Sequence, residues 1–151
     1  MDITHDTVVL ERTFKAPSSR LFKAYADPKQ RKIWCVPGEG MVFDIREAEV
    51  RTAGRETAHC GPEGDMKWRM DLIYHRVEQD RLIVFTEDLW EGDTLLTVAL
   101  ITFDIHDNGQ NGCTLTVTDQ ITSFVGDEAV FGHQEGYTHA MQNLEAMVTA
   151  T

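Results

Sequence analysis

His133 and Tyr137 are the side chains in this 151-residue sequence whose types and spacing best suit chemistry. They stand one helical turn apart, so on a helix both face the same way. An imidazole beside a phenol forms a donor–acceptor pair able to polarise a carbonyl or move a proton. The plainer reading of His133 is a partly solvated histidine near a helix boundary. Arg69, Asp71 and Glu87 add charged groups on segments that alternate like strands. Arg69 and Asp71 share one strand face, a placement that equally suits solvent. His106 and His139 read as exposed. Other chemistries lack a pattern: no nucleophile elbow, paired-acid spacing, glycine-rich phosphate loop or dinucleotide fingerprint occurs. Cys35, Cys60 and Cys113 are odd in number, far apart and outside any C-x-x-C pair, so neither a disulfide framework nor a metal site is indicated. No cofactor is implied.

The elements that must position these groups are legible from periodicity. Val8, Leu10, Arg12 and Phe14 alternate with Val9, Glu11 and Thr13, predicting a strand over Thr7–Lys15. Ala16-Pro17-Ser18 ends it, and Ser18 or Ser19 is a candidate helix cap. Leu21, Phe22 and Tyr25 follow at helical spacing. Asp27-Pro28 closes that short helix and opens a second, which runs to about Trp34. Strands are predicted over Met41–Glu47, Arg55–Cys60, Met66–Val77, Arg81–Trp90, Thr94–His106 and Cys113–Phe124. Turn-forming residues separate them, most clearly Asp107-Asn108-Gly109-Gln110-Asn111-Gly112. From Asp127, Val130, His133, Tyr137, Met141, Leu144 and Val148 recur at helical spacing, predicting one amphipathic helix of about six turns capped by Gly126 or Asp127. Gly132 and Gly136 inside it imply either close packing against the sheet or room for something bulky beneath the helix. The order predicts one α+β domain over residues 1–151, with a curved antiparallel sheet of six to seven strands gripping the long helix.

Composition narrows the partners. With 14 basic and 25 acidic residues the net charge is −11, which disfavours nucleic acid and anionic membranes. No apolar stretch approaches the ~18 residues of a membrane span. The N-terminus lacks a basic start followed by an apolar run, so the expected compartment is the cytoplasm.

Several segments together resemble a known family. They are Phe14-Lys15-Ala16-Pro17, Leu21-Phe22-Lys23-Ala24-Tyr25, Asp27-Pro28, Trp34 and the Pro37-Gly38-Glu39-Gly40 loop. Further along come Gly54-Arg55, Gly61-Pro62-Glu63-Gly64, Arg81-Leu82-Ile83-Val84-Phe85-Thr86 and Glu135-Gly136-Tyr137. Their order and spacing, over about residues 7 to 148, are similar to domains related to the activator of heat-shock protein 90 ATPase. These are a branch of the SRPBCC, or START-like, helix-grip superfamily. The chain departs from the branch at Trp34-Cys35, where paired tryptophans are frequent, and at Gly136-Tyr137, where Gly-Trp is frequent. It also has no length for the separate domain with which the eukaryotic co-chaperone grips its chaperone.

The resemblance implies a cavity between the concave sheet and the C-terminal helix. Trp34, Phe43, Trp68, Met70, Leu72 and Tyr74 are the expected lining from the first half of the chain. Phe85, Trp90, His133, Tyr137 and Met141 complete it. Such aromatic and soft side chains suit a small hydrophobic molecule, for instance a lipid, polyketide or aromatic metabolite. Two other functions accompany that expectation. One is a cyclase or hydrolase using His133 and Tyr137; the other is a stress-related, chaperone-linked interaction protein. An open sheet edge would also permit a homodimer.

Overall fold

The computed structural model describes residues 2–149. Strand β1 (Thr4–Phe14) is followed by helices α1 (Ser18–Ala26) and α2 (Pro28–Trp34). Strands β2 (Met41–Ala48), β3 (Arg55–Pro62), β4 (Trp68–Glu78), β5 (Leu82–Glu91), β6 (Thr94–Gly109) and β7 (Gly112–Ser123) come next, then helix α3 (Asp127–Thr149). The strands form one antiparallel sheet in the order β1-β7-β6-β5-β4-β3-β2. The chain thus meanders from β2 to β7, and β1 closes against the last strand. This is the predicted helix-grip architecture.

Differences from the predicted boundaries have local causes. β1 begins at Thr4 because its ladder runs on to the Thr4–Ser123 pair, and pairing outweighs the weak pattern there. α1 starts at Ser18, with Pro17 in the cap position and no side chain capping it. Neither Ser18 nor Ser19 is the cap. Asp27 does cap α2: its carboxylate accepts from the Lys29 N–H at 3.0 Å and from the Gln30 amide at 3.2 Å. Those bonds hold its pKa below the usual carboxylate range, the backbone one most strongly. β4 begins at Trp68, because Asp65 and Lys67 bond back into the preceding loop. In the β6–β7 hairpin only Gln110 and Asn111 are turn residues, with φ of 53° and 61°, as a tight hairpin requires. At the β2–β3 turn a Cβ on Gly54 would lie 1.9 Å from the Glu49 carbonyl oxygen, so only glycine fits.

The pleat sorts side chains onto two faces. Cys113, Leu115, Val117 and Ile121 of β7 are buried on the concave face. So are Ala99, Ile101, Phe103 and Ile105 of β6, Ile83 and Phe85 of β5, and Met70, Leu72 and Tyr74 of β4. α3 buries Val130, Ala140, Met141, Leu144 and Val148. It packs chiefly on β1, then on α2, β7 and α1, at one side of the sheet. Arg12 on β1 pairs with Glu145 on α3 at 3.4 Å. The helix glycines are not packed against the sheet. A Cβ on Gly132 would meet nothing, and one on Gly136 would touch the Pro37 ring at 3.6 Å.

Candidate functional site

Four charged residues occupy strand or helix positions that point into the interior. Asp119 of β7, Glu87 of β5 and Glu56 of β3 are in phase with the apolar residues of their strands. Arg31, on α2, meets Glu56 from the opposite layer.

Arg31 and Glu56 form an ion pair, with 1% exposure on each side chain. Arg31 Nη1 also donates to the Tyr74 hydroxyl at 2.9 Å, and that hydroxyl donates to Glu56 Oε1 at 2.9 Å. The Tyr25 and Tyr74 hydroxyls lie 3.0 Å apart, and the Arg31 guanidinium sits 4.4 Å over the Tyr25 ring. Trp34, Phe85 and Phe103 pack around Tyr25 with ring centroids 5.1–6.3 Å away. Among the described residues Arg31 Nε and Glu56 Oε2 have no hydrogen-bond partner. Burial, first of all, raises the pKa of both tyrosines. Both hydroxyls stay neutral; that of Tyr74 bridges the pair, and that of Tyr25 bonds to Tyr74.

A second pair ties α3 to the sheet. His133 Nδ1 donates to Asp119 Oδ2 at 2.7 Å, and its Nε2 lies 3.1 Å from the Thr97 hydroxyl. Burial opposes charge on His133. The Asp119 hydrogen bond and the charges of Asp119 and Glu87 outweigh it, and the pKa is raised. This Asp–His–Thr line has the order of a nucleophile triad, yet Thr97 is 0% exposed and its hydroxyl cannot meet a substrate. Both ring nitrogens of His133 are already engaged.

Glu87 is different. It lies beside Ala99 of β6 and Leu72 of β4, on the concave face. Among the described residues no hydrogen bond acts on its carboxyl. Desolvation, the largest influence, pushes its pKa up to about 7; Asp119, Glu56 and Asp88 push the same way, and His133 opposes them. Glu87, Tyr137 and Cys35 are deep within the protein, yet each keeps some accessible surface. Tyr137 packs on Phe103 of the concave face, with ring centroids 5.9 Å apart. The Tyr137 phenol is held well above its usual pKa, by burial first and then by Glu87 and Asp119. Burial likewise pushes the Cys35 and Cys60 thiols up to about 12, so neither is a thiolate nucleophile near neutral pH.

The predicted lining divides into three groups. Phe43, Trp68, His133 and Tyr137 keep accessible surface. On the concave face, Phe43 pairs with Cys60 and Trp68 donates to Glu91 at 3.0 Å. Trp34, Tyr74 and Phe85 are packed in the aromatic cluster, and Met70, Leu72 and Met141 are buried around it. Trp90 stands on the other face: it pairs with Arg69, whose guanidinium lies 5.2 Å over its ring. Plain alternation along β5 gives this result, since Phe85, Glu87 and Leu89 face inward and Trp90 is out of phase with them; the bulge opposite it belongs to β6, where Leu96 is skipped. Arg69 also pairs with Asp71 at 3.4 Å on that half-exposed face. Arg31, Glu56, Thr97 and Asp119 are the interior polar groups that sequence reasoning missed. The available signal was a charge in phase with apolar residues, as in Leu115, Val117, Asp119, Ile121.

Two wide grooves lie against α3. One, of about 480 Å³, runs along the outer face of α3 from Phe131 to Gln142. The other, of about 680 Å³, lies between the Val36–Met41 loop and the second half of α3. Neither is lined by Glu87 or His133. Among the described residues no three His, Cys, Asp or Glu side chains are placed to hold a metal ion. No helix among them is long and apolar enough to cross a membrane.

A concave sheet gripping one long helix, with polar groups recessed between them, defines a START-like helix-grip domain of the SRPBCC type. The chain belongs to the family described as Activator of Hsp90 ATPase homolog 1-like protein, whose model matches residues 15–149. Solved structures agree. The Mll3558 protein of Rhizobium loti is 26% identical with a TM-score of 0.80, over 97% of this chain and 99% of that one. Protein CV1439 of Chromobacterium violaceum is 20% identical with a TM-score of 0.83, over 96% and 98%. DynU16, a protein of the dynemicin biosynthetic locus, is 19% identical with a TM-score of 0.71, over 96% of this chain and 48% of that one. No curated protein matches.

Proposed function

We propose that this chain binds a small, largely apolar molecule in the recess between the concave sheet and the first half of α3. The observation that carries the reading is the set of groups set deep in the protein that still keep accessible surface: Cys35, Glu87 and Tyr137. Phe43, Trp68 and Leu89, on the same concave face, are only partly buried. Interiors normally close over such side chains, and a partly filled apolar space with a few polar groups is what a ligand site needs. Binding fits better than proton transfer by His133, because Asp119 and Thr97 occupy both its nitrogens.

Nile red, a neutral fluorophore that brightens in apolar surroundings, tests the reading. Trp68→Ala and Tyr137→Ala weaken its binding by about tenfold or more, the contribution of one large apolar contact. The urea midpoint changes much less. A loss of binding that merely tracks a loss of stability would show these residues to be packed core, and the reading would fail.

A further inference from the structure

We propose that the recess selects ligands carrying a protonated amine, with the Glu87 carboxylate as the group that pairs with it. This rests on the binding reading above and names the polar end of the ligand.

Charged groups face Glu87 from four elements. From α2 comes Arg31, and from β3 Glu56; these two cancel in one buried pair. From α3 comes His133, and from β7 Asp119, and these form the second pair. Asp88 is its neighbour on β5. Tyr137, Cys35 and Cys60 are the remaining titratable groups within its influence, and all three stay neutral. Glu87 lies between Leu72 and Ala99 on the concave face; among the described residues no hydrogen bond reaches its carboxyl, and the opposite charge that faces it, His133, is already bound to Asp119. A buried carboxylate in that position is costly until a cation joins it. An ammonium group supplies both the charge and a charge-assisted N–H bond. Tyr137, which is close enough to feel the Glu87 charge, offers its ring to the flanking carbons of the ligand. The protein's net charge of −11 adds long-range attraction for cations and repels anions.

The chemistry also fixes the sign of the pH dependence. An amine needs Glu87 ionised, so its affinity rises with pH through the Glu87 titration near 7. A ligand read through an oxygen acceptor needs Glu87 protonated and shows the reverse.

The test uses two probes of one shape, 1-naphthylmethylamine and 1-naphthalenemethanol, titrated into the protein by calorimetry at about pH 5.5 and pH 8. The amine remains cationic at both. At the higher pH the amine binds roughly tenfold tighter than the alcohol, and its advantage shrinks at the lower pH. Glu87→Gln abolishes the advantage of the amine over the alcohol. The pH dependence of the wild-type protein carries the test independently of how the variant folds. Equal affinities for amine and alcohol, or an advantage that grows at low pH, overturn the amine assignment. If Nile red still binds in that case, the binding reading survives. Binding of neither probe overturns the assignment, and absence of Nile red binding as well removes the reading beneath it.

Discussion

Glu87 sets the most informative balance at the scale of single residues. Its carboxyl rises from an ordinary 4.5 to about 7 on folding, chiefly through desolvation. An acid with a raised pKa holds its proton in the folded state after the unfolded chain has released it. Stability therefore falls as pH rises from about 4.5 to about 7, by about 3 kcal/mol in full. His133 acts in the same direction: its raised pKa gives stability that is present below 6.5 and lost as pH climbs through its folded value. Glu87→Gln should consequently be more stable than the native protein by roughly 2–3 kcal/mol near pH 8 and about equal to it near pH 4. Urea titrations across that range check this, and a variant no more stable at pH 8 would show that Glu87 is solvated or paired. The Arg31–Glu56 pair behaves oppositely. Removing one partner, as in Arg31→Met, strands a buried charge and should cost about 3–5 kcal/mol. Arg31→Met combined with Glu56→Leu should recover much of that loss in the same urea experiment. A double variant as unstable as the single one would mean that the Tyr25–Tyr74 bridges, not the charges, dominate.

At the scale of elements, two glycines separate backbone necessity from spare propensity. Gly54→Ala drives a methyl into the Glu49 carbonyl and must distort the turn that hands the chain from β2 to β3. Gly132→Ala adds a methyl in open space on a helix and should raise stability by about 0.5–1 kcal/mol. Thermal melts of the two variants should shift in opposite directions; a destabilised Gly132→Ala would place something against that helix face. Most elements could be read in the sequence, because β4 alternates Trp68, Met70, Leu72 and Tyr74 against Arg69 and Asp71, and Gln110-Asn111 suits a tight hairpin. The site was legible only in part. His133 and Tyr137 were found by helical spacing, and Glu87 was noticed as a strand charge. Asp119 and Glu56 were hidden because partners distant in sequence neutralise them: Asp119 meets His133, and Glu56 meets Arg31, which sits in a basic run that reads as solvated. The aromatic type of Trp90 suggests a cavity residue, but it stands an odd number of positions from Phe85, so strand alternation itself puts the two on opposite faces.

At the scale of the whole molecule, α3 covers one side of the sheet, and the interior polar groups mark the boundary between packed core and recess. The aromatic cluster of Tyr25, Trp34, Tyr74, Phe85 and Phe103 fills the first region. Glu87, Cys35 and Tyr137 stand at the second. Exposed Phe131 and Val9, at 61% and 60%, lie outside both. A filled interior would have left these polar and apolar groups fully covered, so the central claim is that the space beside them takes a ligand. Native mass spectrometry of the purified protein, with organic extraction of whatever accompanies it, tests that claim most directly. The account predicts a discrete added mass, either carried from the expressing cell or acquired on adding an apolar amine. A protein that keeps its unmodified mass through additions of apolar amines, fatty acids, flavonoids and polyketide-like aromatics would contradict it.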